Sequence, residues 1–427
     1  MQQASTSCGS YRRYLLFLLV IILAFHFVDR AALGLVLQNI KTDLRLSDLE
    51  LGFLSGISFA LFYAVMGLPI AHWADRGDRA VIISLATALG AVMIALCGRA
   101  ASFAQLLLIR VGVGVGEAGC IPPAHSLLAD YFDRAERPRA AAIYALGGPI
   151  SFVLGFFLAG WLNELYGWRA MFIMLGLPGL ALAALAAFTL REPRRAHFGK
   201  YLDAATTQLG FWKVCRTLWL NITFRRLLLA YSGMYFFGYG ILQWQPTFFI
   251  RSYGLSSGEV GTWFALIYGV GGAAGTYLGG AWASRYAARN ERLQLQGLAV
   301  AMVVYGTLSG LVYLCSTQYA AFAVMAVSNV AGYALYGPLF ATIQTLVPER
   351  MRAMSIALVN FSANLLGLGL GPLLTGAVSD AMSHWAGTES LRYALLTLVP
   401  GFFLVGWSLW SASRSIVQDL VGNEALA

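Results

Sequence analysis

The apolar runs in this chain are too long for the core of a soluble domain. From Tyr14 to Leu37 the only ionisable groups apart from Tyr14 itself are His26, Asp29 and Arg30. A bilayer crossing needs about 20 apolar residues in a helix. Twelve stretches meet that length, at 13–40, 47–73, 80–99, 103–130, 138–163, 168–190, 223–249, 256–284, 293–315, 318–346, 351–381 and 389–413. The chain is 59% hydrophobic and 11% charged, against about 25% charged in an ordinary soluble domain. A membrane β-barrel would show short segments of alternating polarity, and these runs are continuous. The expected fold is an all-α membrane protein of twelve transmembrane helices in two pseudo-symmetric six-helix bundles. It is a multi-pass protein of the cell (inner) membrane, with the lipid bilayer as its solvent.

The net charge of +9 comes almost entirely from arginine. With both termini cytoplasmic, one set of connections carries Arg12, Arg13, Arg76, Arg79, Arg134, Arg137, Arg139, Arg350, Arg352 and Arg414. The opposite set carries Lys41, Arg45, Arg99, Arg169, Arg251 and Arg392. This is the positive-inside asymmetry, and it explains the charge without nucleic acid. The five cysteines are scattered and the histidines dispersed, so no metal, cofactor or disulfide framework is expected. No separate cleavable signal peptide is read at the N-terminus. The one long polar connection, 191–222, separates an N-terminal bundle, 1–190, from a C-terminal bundle, 223–427. The halves echo each other. "ERPRAAAI" at 136–143 matches "ERMRAMSI" at 349–356, and "WRAMFIMLGLPGL" at 168–180 resembles "LRYALLTLVPGFF" at 391–403. Parallel repeats imply a substrate site between the halves. A monomer is expected.

Asp29, Arg30, Arg110 and Glu117 lie inside apolar runs, where one charge costs roughly 2.5–3.5 kcal/mol on insertion scales. Arg110 and Glu117 are two helical turns apart and share a face. The four sum to zero. They form either a structural ion-pair cluster or a proton site in which the two acids compete for the two arginines. His26, one turn before Arg30, is either a relay or a satisfied core histidine. The second half has no comparable interior charge. It carries Tyr235, Tyr239 and Trp244 on its first helix, Tyr333 and Tyr336 on its fourth, and Asn360 on its fifth. Each is individually consistent with packing. As a set they suggest an apolar, aromatic wall opposite a charged one, suited to an amphipathic solute. Pro149 and Pro372, each after glycine, mark kinks at similar places in the two halves.

The chain resembles the major facilitator superfamily over its whole length, and more narrowly bacterial members of the Spinster family. The resemblance rests on "FVDR" at 27–30, "RVGVGVGEAG" at 110–119, "SLLADYF" at 126–132, "YGWRAMF" at 166–172 and "FFIRSYGLSSGEVG" at 248–261. Asp75, Arg76 and Arg79 keep the spacing of the superfamily's G-x-x-x-D-R-x-G-R loop, with Ala71 and Asp78 in place of two glycines. The three are either a cytoplasmic gate or a topogenic turn. In the second half Ser284 stands where the acid would be. The resemblance implies proton-coupled secondary transport by alternating access, and no enzyme activity. Asp29 and Glu117 would be the protonatable acids, with Arg30 and Arg110 their partners or the anchor of an anionic head group. Animal Spinster relatives are associated with sphingosine phosphate and lysophospholipid export, which points to a lipid-like solute. Organic-anion symporters share the Asp-Arg and GEA patterns, so a proton-coupled organic-anion carrier or a multidrug efflux carrier stays open.

Overall fold

The computed structural model describes residues 2–133, 136–193, 211–287, 290–347 and 349–424. Among them every regular element is a helix. In the first half these are α1 (Gln2–Leu44), α2 (Asp48–Ser55), α3 (Ile57–Arg76), α4 (Arg79–Cys97), α5 (Phe103–Ala118), α6 (Ile121–Tyr131), α7 (Arg137–Ala145) and α8 (Gly147–Thr189). There follow α9 (Phe211–Leu220), α10 (Ile222–Tyr253), α11 (Ser257–Leu266), α12 (Gly272–Tyr286), α13 (Glu291–Leu314), α14 (Gln318–Tyr333), α15 (Tyr336–Leu346), α16 (Glu349–Ser362), α17 (Gly371–Ala386) and α18 (Ser390–Glu424).

The helix ends follow from local sequence. Ser47 and Glu50 form a reciprocal capping box at the start of α2, which satisfies two donors that the first turn leaves open. Ser102, Asn221 and Thr317 cap α5, α10 and α14 in the same one-sided way. Gly254 closes α10 with φ of 67°, a backbone state that glycine adopts without strain. Gly167, at φ 80° and ψ 161°, breaks the long α8 into two runs. At the two expected kinks the helix restarts: α8 begins two residues before Pro149, and α17 begins one residue before Pro372, after a π-helical stretch Ala363–Leu370.

Among the described residues, eight helical stretches are long and apolar enough to cross a membrane. Two of them, Arg139–Thr189 with 51 residues and Met354–Ile416 with 63, far exceed one crossing at 1.5 Å per residue. Each contains two of the expected spans. The expected spans 223–249 and 256–284 fall on α10 and on α11 with α12, outside those eight stretches.

The described residues group into two units. The first comprises Met1–Leu46, Ile57–Ala204 and Leu255–Ala265; the second comprises Ser47–Gly56, Ala205–Gly254 and Leu266–Ala427. The division differs from the sequential halves 1–190 and 223–427. α2 packs against α17 in the second unit, and α11 belongs to the first. Hydrophobic periodicity says that a helix face is buried, not which bundle buries it. The repeat reappears in the packing: α1 lies against α8 in the first unit, and α10 lies against α18 in the second.

Candidate transport site

The first unit is built around close approach of α5 to its neighbours. In "RVGVGVGEAG" a Cβ on Gly112 would sit 2.6 Å from Met93 Sδ, one on Gly116 2.7 Å from the Gly90 nitrogen, and one on Gly119 2.6 Å from Ala86 Cβ. These three share the face toward α4. A Cβ on Gly114 would fall 2.8 Å from the carbonyl oxygen of Phe59 on α3. Small residues at such spacing let membrane helices approach closely. This draws Arg110 and Glu117 into a buried interior against α1 and α3.

There the four charges form two crossed pairs. Arg110 donates to Asp29, and Arg30 donates to Glu117. Adjacent residues on a helix diverge by about 100°, so Asp29 and Arg30 find partners on α5 rather than each other. Side-chain exposure is 0% for Asp29 and Glu117, 2% for Arg110 and 12% for Arg30. Asp29 Oδ1, Arg110 Nε and Glu117 Oε2 have no hydrogen-bond partner among the described residues. Each pair is therefore incompletely satisfied, with capacity for a proton or another ligand. His26 is buried, its Nε2 lying 2.8 Å from Cys120 Sγ and 3.5 Å from Thr87 Oγ1. Among the described residues its hydrogen bonds run to those two groups.

In the second unit the tyrosines come together. The hydroxyl of Tyr231 donates to that of Tyr235 at 3.1 Å, and their rings stack at 4.8 Å. Tyr235 lies 5.5 Å from Tyr239 and 6.0 Å from Tyr336, and Tyr336 lies 5.8 Å from Tyr333. Tyr268, which the sequence reading did not single out, joins through Tyr333 at 6.5 Å and donates to Gln245 Oε1 at 3.1 Å. Trp244 stands apart from this group. It is fully buried, and its indole N–H donates to the Pro372 carbonyl at 2.9 Å. Asn360 is half-buried, and its backbone carbonyl accepts from the Asn364 side-chain amide at 2.8 Å.

At the loop after α3, Arg76 is exposed, and the side chain of Asp75 lies outside the described residues. Arg79 is fully buried. It donates through its Nε to Glu192 at 2.9 Å, through Nη1 to Ser126 at 2.9 Å, and pairs with Asp130 at 2.7 Å. Arg79 therefore anchors the end of α6 and the chain after α8 within its own unit. The sequence signal was present: Asp130 sits in "SLLADYF" and Glu192 is the second residue of "REPRRAHFGK", but nothing in spacing connects them to Arg79.

Long apolar helices in two units, one of which seals opposed charges in its interior, define a polytopic membrane carrier. The family model for the Major Facilitator Superfamily matches residues 19–372, and the chain belongs to that superfamily of membrane transporters, which are not enzymes. Among curated proteins it is 30% identical over 407 residues to an MFS-type efflux pump of Mycolicibacterium smegmatis, covering 94% of this chain and 93% of the relative. It is 25% identical over 411 residues to a probable L-galactonate transporter of Escherichia coli, covering 92% and 87%. The crystal structure of a bacterial homolog of the human lysosomal transporter Spinster, inward-facing and unoccupied, is similar with TM-score 0.84 and 31% identity, covering 96% of this chain and 98% of that one. The resemblance to Spinster-type transporters read from the sequence stands.

Proposed function

We propose that this protein is a proton-coupled secondary transporter, working by alternating access in the inner membrane with both termini cytoplasmic, and that it moves an amphipathic, lipid-like anion. The observation that carries this reading is the inequality of the two buried pairs. Asp29 and Arg110 are both sealed, whereas Arg30, bound to Glu117, keeps the largest exposure of the four. A proton on Glu117 removes the counter-charge of Arg30, which then binds the anionic group of the solute. Proton and solute thus favour different arrangements of one cluster, as coupling requires. Asp29 is the second protonatable acid, and Arg110 its partner. The tyrosines at 235, 239, 333 and 336 supply ring surface for the apolar part of the solute, with Asn360 as a polar contact. Gating falls to Asp75 and Arg76, because Arg79 is held by Glu192 and Asp130. Asp75→Asn should change spin-label distances across the cytoplasmic face, and an unchanged distribution would reduce this loop to a topogenic turn.

The relatives support a second reading. The Escherichia coli relative is a probable L-galactonate transporter, so a small hydrophilic organic anion is the competing solute. One experiment tests the coupling for either. Uptake or efflux is followed in proteoliposomes under an imposed pH gradient, for long-chain and short-chain anions. Asp29→Asn and Glu117→Gln should fold yet lose gradient-driven accumulation, and Arg30→Ala should be worse because it leaves acids without their base. Wild-type behaviour in both acid variants would leave the cluster as structural glue.

A further inference from the structure

Arg30 is surrounded by aromatic faces. Its Cζ lies 4.6 Å from the ring centre of Phe27, 4.9 Å from Phe59 and 5.8 Å from Tyr63. Phe27 is one turn earlier on α1. Phe59 and Tyr63 are one turn apart on α3, their rings stacked at 5.7 Å and 15°. Phe59 is almost wholly buried and also lies 5.6 Å from Arg110 Cζ, so one ring faces both arginines. A Cβ on Gly114 would clash with the Phe59 carbonyl, so the glycine there lets the α3 backbone at Phe59 come close to α5.

A permanent ion pair needs no such surroundings, but a pair that opens where both groups are largely buried does. When Glu117 is neutral, Arg30 remains a cation with no counter-charge on its partner. In the paired state the guanidinium divides its contacts between carboxylate and rings. Once unpaired it can settle over the rings, whose quadrupoles attract a cation most strongly where water is excluded. The rings therefore favour the open state over the paired one, which a uniform contact would not do. They also offer the cation a resting place away from Asp29, the acid next to it in sequence.

We infer that Phe59 and Tyr63 are positioning residues that hold the released Arg30 in place and thereby make the Arg30–Glu117 pair breakable. This rests on the proton-switch reading above. Among the described residues, the charged or titratable groups within electrostatic reach of Arg30 and Glu117 include Asp29 and His26 from α1, Tyr63 from α3, Arg110 from α5, Cys120 just after α5, and Tyr144 from α7. None of the variants below alters any of them except Tyr63→Phe, which keeps the ring.

The test follows the protonated-carboxyl stretch of Glu117 by infrared difference spectroscopy during a pH titration of the full chain in liposomes. The band is assigned by its loss in Glu117→Gln. Phe59 is replaced by mono-, di- and trifluorinated phenylalanine, which keep its shape and progressively weaken its quadrupole. The titration midpoint should move to lower pH with each fluorine, and by about one unit in Phe59→Leu, the size expected if a desolvated cation–π contact is lost. Tyr63→Phe should leave it in place. A Glu117 band that titrates in the natural protein but keeps one midpoint through the fluorinated series overturns the aromatic role alone. A Glu117 band that never titrates overturns the proton switch, and this inference with it.

Discussion

Arg251 grips both carboxylate oxygens of Asp48, at 2.7 and 2.8 Å, across 203 residues of sequence. Ser379 donates to the same carboxylate at 2.6 Å, and Asp380 accepts the backbone N–H groups of Asp48 and Leu49 at 3.0 and 2.7 Å. The start of α2 is thereby tied to α10 and α17. Removing one partner of a buried pair leaves the other charge uncompensated, at about 3–5 kcal/mol. Arg251→Leu should lower the thermal unfolding midpoint in detergent markedly, and adding Asp48→Asn should recover part of the loss. A double variant that falls by the sum of the two single losses would show that the pair is not coupled.

The two charge pairs of the first unit should respond unequally to neutralisation. Asp29→Asn strands the Arg110 guanidinium where it is 2% exposed, so the loss should approach the same 3–5 kcal/mol or so. Glu117→Gln leaves Arg30 with 12% exposure and its three rings, and the loss should be clearly smaller. Unfolding midpoints measured side by side decide this. Equal losses would remove the distinction between a sealed pair and an openable one.

Gly116 fixes the distance between α5 and α4. A Cβ there would meet Gly90 backbone at 2.7 and 2.9 Å, with no flexible side chain to yield. Gly116→Val should cost about 1–3 kcal/mol through overpacking, and should reduce transport by displacing Glu117. Gly148→Ala, which has nothing within 4 Å of its Cβ, is the matched control. If both variants retain the wild-type midpoint, the close approach does not limit stability.

Tyr235 touches Tyr231, Tyr239 and Tyr336. If these rings receive the apolar part of the solute, Tyr235→Ala and Tyr336→Ala should weaken binding of long-chain anions several-fold more than short ones. Each buried CH₂ contributes about 0.8 kcal/mol, so the discrimination should grow with chain length. Binding isotherms for a homologous series of anions test this, and a chain-length-independent loss would favour the small organic anion.

The intramembrane charges were legible because acid and base in an apolar run are expensive, so Asp29, Arg30, Arg110 and Glu117 announced themselves. Their pairing was not, since composition cannot tell which of two arginines an acid meets. Phe59 and Tyr268 were invisible as single aromatics among many. Glu192 and Asp380 sit at helix ends, where a carboxylate is ordinary and its distant partner leaves no periodic trace. Trp244 was legible as an interior aromatic, but its hydrogen bond to the Pro372 carbonyl was not. The glycines of 110–119 were quoted as a pattern, but which neighbour each one admits depends on packing that only the fold supplies.

The exchange of α2 and α11 between the two units bears on how such a chain can be divided. A cut within 191–222 yields two fragments, neither of which contains all of one unit. The first fragment keeps α2, which α17 needs as a packing partner; the second keeps α11, whose Ser257 and Gly258 bond to Asn163 and Glu164. Separately expressed halves should therefore be degraded alone and persist only when made together.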